Sequence, residues 1–255
     1  MLRDRSLMAP IIACMILAAG SGLARADDNG GIKGKAIFKG DPGEFIRIKL
    51  PTDRDPNCKK SKKKIGSYKV ILNKKTDPVT IRNVMVYVKD GLGKRIFVAP
   101  TTPVILKQFG CEYQPHVLGI MEGQPLRITN GDDTNHNIHF LSKVNDPINF
   151  TQPIKDLKGR DVALVKESTF KVKCDVHGWM SCYIQVFDHP FFAVTGKDGT
   201  FEITGLPNGT YTIEAWHETF GTRTATVEVT GDTIVQDFTF EAKQRAESRG
   251  RPGGG

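Results

Sequence analysis

The chain has 255 residues, 25% of them charged and 8% aromatic, with 36 basic against 28 acidic side chains and a formal charge of +8. That composition excludes a wholly disordered chain and a polytopic membrane protein, and the length allows one large domain or two smaller ones with real cores. Five cysteines are too few for a fold built on disulfides, so each is weighed by its surroundings.

Residues 1–26 carry the marks of an export signal. Arg3 and Arg5 precede an apolar run over 7–19, too short to span a bilayer, and Ala24-Arg25-Ala26 has the form of a signal-peptidase site. Cleavage there starts the mature chain at Asp27 and removes Cys14. It places the protein in the periplasm or outside the cell, where disulfides persist. An uncleaved anchor is the weaker alternative, because the run is short. Of the four remaining thiols, Cys58 lies in the polar stretch Asp55-Pro56-Asn57-Cys58 and Cys111 follows a turn at Gly110. Neither has a histidine at metal-ligand spacing. A Cys58–Cys111 bridge is expected, tying the long lysine-rich loop to a sheet.

The body reads as all-β. Short alternating segments recur between turn signals at 34–38, 69–72, 84–88, 125–129, 170–173 and 183–187, a spacing that suggests a sandwich or barrel. Residues 154–165 have some helical spacing, but Gly159 weakens it. A second pattern begins after Pro190: a hairpin over 194–201 with Asp198-Gly199 at the turn, then a turn at Leu206-Pro207-Asn208-Gly209. A strand with Tyr211, Ile213 and Ala215 on one face follows, with two more near 224–229 and 234–240. From Lys243 the tail has no core-forming residues and is expected to be disordered.

One constellation carries specific chemistry. Cys174-Asp175-Val176-His177-Gly178-Trp179-Met180 is a C-x2-H-x2-M cluster directly after an alternating strand, and His136-Asn137 lies in a loop after another. A thiolate, two imidazoles and a thioether suit copper in a trigonal His2Cys arrangement with a long axial methionine, whereas zinc more often recruits further cysteine or histidine. Each residue also has a plainer explanation. Cys174 and His177 taken alone fit a buried thiol and a packed histidine, and Met180, the softest of the four assignments, fits simple core filling. His139 is an odd number of residues from His136 and so points to the opposite face of a strand. His116 and His189 read as structural, His217 as a satisfied surface histidine, and Cys182 as a small buried side chain. Trp179, between two candidate ligands, fits either exposure near the metal or packing against it.

At these residues the chain resembles the cupredoxins, the small blue copper proteins, with an amicyanin-type short ligand loop. The match runs from Tyr113-Gln114-Pro115 through 123–130 and His136-Asn137 to the Cys174 cluster. The resemblance implies a Greek-key sandwich holding one type 1 copper on His136, Cys174, His177 and Met180. It also implies that Asn137 ties the two ligand loops by hydrogen bonds. Residues 194–240 resemble the carboxypeptidase-regulatory-like, prealbumin-type sandwich through Thr195, Asp198-Gly199, Phe201, Leu206-Pro207 and Gly209-Thr210-Tyr211. The opening strands of that fold are not adjacent to Val194. Residues 31–40 and 83–89 are candidates to supply them, which would make the copper domain an insertion.

The expected organisation is a leader (1–26), N-terminal strands and a lysine-rich loop completing either sandwich (27–110), a cupredoxin-like domain (111–190), a smaller prealbumin/Ig-like sandwich (191–242) and a tail (243–255). The function this implies is one-electron transfer with a redox protein partner, with His177 as the electron exit and Trp179 in the docking patch. Copper storage or delivery is an alternative, as is an adhesion or carbohydrate-binding module contacting a glycan or cell surface. No hydrolase or multicopper-oxidase pattern is present, so an enzyme is not expected. The leader contributes +2 to the charge, the basic run from Lys59 to Lys64 +5 and the tail +3, leaving −2 for the rest. A near-neutral body with local basic appendages removes the nucleic-acid reading.

Overall fold

The computed structural model describes residues 29–45, 49–60, 67 and 69–242, and its elements are almost all strands. The expected leader, Lys62, Lys63 and Lys64 of the basic run, and the tail lie outside the described residues. After β1 (Asn29–Lys39) come one helical turn, α1 (Pro56–Lys59), and the strands β2 (Leu72–Asn73), β3 (Thr80–Ile81) and β4 (Met85–Asp90). Then follow β5 (Val104–Gln108), β6 (Tyr113–Gln114), β7 (Val117–Met121), β8 (Leu126–Asn130), β9 (His136–Leu141), β10 (Asn149–Gln152), β11 (Asp156–Val162), β12 (Glu167–Lys173) and β13 (Ser181–Phe187). The chain ends with β14 (Phe192–Val194), β15 (Thr200–Pro207), β16 (Gly209–His217), β17 (Gly221–Val229), β18 (Thr233–Val235) and β19 (Phe238–Glu241). Among the described residues no helix is long and apolar enough to cross a membrane.

β5 to β13 make one sandwich. One sheet runs β10-β9-β12-β13-β7 and the other β11-β8-β5-β6. Strict alternation fixes which side chains enter: Leu106, Leu126 and Ile128 from one sheet meet Ile138, Val172 and Ile184 from the other, all fully buried. Burial of each such side chain stabilises the fold by about 1.5–3 kcal/mol. The sandwich includes β5, which precedes the boundary at 111 expected from sequence, and Leu50 and Cys58 pack on the same core.

The second sandwich draws on both ends of the chain. β1 is the hub of one sheet, pairing antiparallel with β15 and β3 and parallel with β18 and β19. The opposite sheet runs β14-β4-β16-β17. Ile32, Ile81, Val86, Leu206, Tyr211, Ile213 and Phe240 form the core between them. The Asp198-Gly199 turn rests directly on β3: Gly199 has φ +75°, and a Cβ there would lie 2.4 Å from Thr80 Cβ. Thr80 Oγ1 donates to Asp198 O at 2.7 Å, locking the turn to the sheet. The first sandwich thus lies in the chain between β4 and β14, both of which belong to the other one.

Between the sandwiches, Met85, Val117 and Phe187 form a small apolar cluster, and Phe187 stacks on Phe192 with centroids 4.5 Å apart. Gly119 permits that approach, since a Cβ there would sit 2.5 Å from the Phe192 ring. His116 and Glu218 pair across the same interface at 2.5 Å, both nearly buried.

Several local expectations change. The segment 69–72 yields only the two-residue β2, and 234–240 splits into β18 and β19. Residues 156–162, with weak helical spacing, form β11, whose register slips between Asp156 and Arg160 around Gly159. His217 is not at the surface: it is 1% exposed, accepts from the Thr219 N–H at Nδ1 and stacks on Phe220.

Candidate metal centre

Residues 174–180 close the antiparallel hairpin between β12 and β13, in which Lys173 faces Ser181. The Met180 N–H donates to His177 O, and the Cys174 N–H donates to Met180 O, so the loop is a tight closed ring. β9 runs beside β12 and brings His136, its first residue, against that loop. Asn137 joins the two segments: its Oδ1 accepts from the Asp175 N–H at 3.0 Å, while its Nδ2 donates to Asn149 Oδ1 and Phe150 O. The Tyr113 hydroxyl donates to Asn137 O from the opposite sheet.

His136, Cys174 and His177 meet here, each buried, with one donor atom apiece within 4.8 Å of the others. His136 Nδ1 lies 3.1 Å from His177 Nδ1, and Cys174 Sγ lies 4.0 Å from His177 Nδ1. Met180 is buried at the end of the loop and packs in the same core. Cys182, on the strand leaving the loop, is a separate buried free thiol whose ionisation is suppressed by burial.

Both outer imidazole nitrogens meet carboxylates. His136 Nε2 is 2.8 Å from Asp132 Oδ2, and His177 Nε2 is 3.0 Å from Asp55 Oδ2. Burial works against both imidazolium forms, but hydrogen bonds outweigh it and raise both pKa values. The leading bond is to Asp132 for His136 and to Cys174 for His177, followed by Asp55. Burial also opposes ionisation of Cys174; bonds from His136, His177 and two backbone N–H groups prevail and bring the thiol down to about 6. Asp55 is likewise held down to about 2, its desolvation offset by His177, the N–H groups of Cys58 and Asn57, and Thr134.

This donor set fits a soft transition metal. With each Nε2–H given to a carboxylate, the two Nδ1 atoms face one another at 3.1 Å, an arrangement that a shared cation, a proton or a metal ion, satisfies. The spacings of 3.1 and 4.0 Å fall within the sum of two ligand bonds of about 2.0 Å to nitrogen and about 2.3 Å to sulfur.

The bridge from Cys58 to Cys111 is formed, and it lies at this centre. Cys58 sits in α1, capped by Asp55, and its Sγ is 3.7 Å from His177 Nε2. Sequence spacing gives no sign of this contact because His177 lies 119 residues from Cys58. The same segment covers the expected exit: His177 is 3% exposed, with its outer nitrogen engaged by Asp55. Trp179 packs against the site, its ring 5.0 Å from that of His177 and its Nε1 donating to Cys111 O. Together with Leu50, Pro51, Arg54 and Val176 it lines an open cleft of about 600 Å³ above His177.

Of the other histidines, His139 faces away from the centre, bonded to Asp175. His116 bonds Ser181 O and Glu218, and His189 Nδ1 accepts from the Phe191 N–H. The residues missed from sequence are Asp55 and Asp132. Asp132 is four residues before His136, and Asp55 stands at a helix-capping position, the only signals that mark them.

No family model and no curated protein matches the chain. Solved structures that align with part of it are cupredoxins. A Cu-containing nitrite reductase (NirK) from Thermus scotoductus SA-01 is 20% identical with a TM-score of 0.29; the match covers 38% of this chain and about a quarter, 26%, of that one. Amicyanin from Paracoccus versutus (Thiobacillus versutus) is 15% identical with a TM-score of 0.30, covering 40% of this chain and 96% of its own. A Cu(I) form of an amicyanin mutant is 16% identical with a TM-score of 0.30, covering 41% and 98%.

Proposed function

We propose that the protein is an exported type 1 copper protein that carries single electrons, with one copper held by His136, Cys174, His177 and Met180. The observation that carries this reading is the buried meeting of two inward-facing Nδ1 atoms with a thiol lowered to about 6. A bound copper supplies one-electron chemistry between Cu(II) and Cu(I). The chain's part is to hold the donors in one arrangement: the loop ring closed by Met180 and the Asn137 tie restrict movement between the two charge states. Among the described residues, His136, Cys174 and His177 form a buried group whose ligand atoms lie close enough to share one metal ion.

With the His177 edge covered, electrons leave through Trp179 into the cleft that it lines. Leu50, Pro51 and Val176 give that cleft an apolar floor, and Arg54 gives it positive charge suited to an acidic redox partner. The disulfide supports residence in the periplasm or outside the cell. The covered His177 edge also favours a second reading, copper delivery, since occlusion slows electron exchange between copies.

Addition of Cu(II) to the purified full chain is expected to give an intense visible thiolate-to-copper band that Cys174→Ser abolishes. A colourless wild-type protein, or a variant that keeps the band, sinks the reading. Fast electron self-exchange favours the carrier; slow exchange with ready transfer of copper to an acceptor favours delivery.

A further inference from the structure

We propose that Asp55 and Asp132 are positioning residues for the two imidazole ligands, and that the Cys58–Cys111 disulfide holds the Asp55 carboxylate at the centre. This rests on the copper reading but is tested apart from it.

The two carboxylates occupy equivalent places. Each accepts from the outer nitrogen of one imidazole, His177 for Asp55 and His136 for Asp132. A carboxylate accepts and does not donate, so each Nε2 carries a proton and each Nδ1 faces inward, where a metal ion displaces any proton held between the Nδ1 atoms or shared with Cys174. Each carboxylate is also anchored by one half-cystine: the Cys58 N–H donates to Asp55 Oδ1 at 3.2 Å, and the Cys111 N–H donates to Asp132 Oδ2 at 2.8 Å. Thus the disulfide lies between two Asp–His pairs, with Cys58 Sγ against His177.

Their dependence on the bridge differs. Asp132 sits in the loop that leads into β9, held by the Gly110 and Cys111 N–H groups and by its own N–H to Asn130 Oδ1. Asp55 belongs to a segment with no long strand of its own. Besides the bridge, that segment reaches the site through Thr134 Oγ1 donating to Asp55 Oδ2 and Asn57 Nδ2 donating to Asp133 O. Breaking the disulfide therefore frees Asp55 while leaving Asp132 in place.

Two anions bonded to the ligands strengthen both imidazoles as donors and favour the more highly charged metal ion. In the copper-loaded full chain, Asp55→Asn and Asp132→Asn are each expected to raise the reduction potential and to weaken Cu(II) affinity about 10- to 100-fold, with the visible band retained. A Cys58→Ala/Cys111→Ala variant is expected to shift the potential in the same direction as Asp55→Asn. Combined with Asp55→Asn it adds nothing further, whereas combined with Asp132→Asn it adds in full. Independently of copper, 15N NMR of the metal-free protein is expected to show both imidazoles protonated at Nε2, and His177 losing that fixed tautomer in Asp55→Asn. The circular dichroism spectrum identifies any variant that fails to fold, and for such a variant the tautomer measurement on the wild type decides. Unchanged potential and affinity in both folded Asn variants, or imidazoles in the wild type that carry no proton on Nε2, overturn the proposal. A wild-type chain that takes up no copper removes the electron-transfer reading and leaves the tautomer measurement to decide this one.

Discussion

His217 is buried in the second sandwich against Phe220 and Phe240, and that burial is the main reason its pKa falls to about 4. In the unfolded chain it returns to about 6.5. Between those values the unfolded state binds more protons, so stability is complete above about pH 6.5 and declines as the pH falls toward 4. The loss is of order 3 kcal/mol across that window. Urea unfolding at a series of pH values is expected to show the decline, and His217→Asn, which cannot titrate, to flatten it. From sequence alone this residue reads as a surface histidine, because Trp216-His217-Glu218 looks polar. What that reading misses is that β16 pairs on both sides, with β4 and β17, so the strand runs buried to its end. Cys174 and His177, which the structure brings together, are legible for the opposite reason: a hairpin loop places them, with Met180, within seven consecutive residues. Asp55 is illegible because its relation to His177 exists only after folding, across a separation of 122 residues.

At the level of elements, strands with one covered face are readable from alternation. β12, β15 and β16 fall where the segment 170–173, the hairpin over 194–201 and the strand marked by Tyr211, Ile213 and Ala215 place them. β5, β10 and β11 are not anticipated, since β10 and β11 are largely exposed edge strands whose polar residues give no period-two signal. The segment 49–60 has no repeat at all and is held by α1, its Asp55 cap and the disulfide. On the chain-entropy account, a bridge closing a loop of 53 residues contributes about 4 kcal/mol. Cys58→Ser/Cys111→Ser is expected to lower the urea midpoint of the metal-free protein accordingly. Reductant is expected to do the same to the wild type and nothing to the variant.

For the whole molecule, the two sandwiches are not successive units. β15 needs β1, and β16 needs β4, yet both partners precede the first sandwich in the chain. A fragment of residues 191–242 is therefore expected to remain unfolded in circular dichroism and in the dispersion of its amide resonances. A chain in which 29–90 is joined to it through a short linker replacing the first sandwich is expected to recover β structure. From sequence, an insertion is suggested because the opening strands of the resembled sandwich are not adjacent to Val194. Whether strands at 31–40 and 83–89 serve either sandwich is a matter of pairing register, which a single sequence does not encode.

The placement of β1 has a kinetic side. Lys35 pairs with Thr200, and Phe38 with Phe240, so the hub strand waits for partners made more than 150 residues after it. Such high contact order makes closure of the outer sandwich slow, and until then β1 is an unpaired edge open to mispairing. The inner sandwich has its β5–β13 contacts within one continuous stretch and so is free to form first. Assembly of the candidate centre thus has a physical order: it forms in one sandwich while the other is still open.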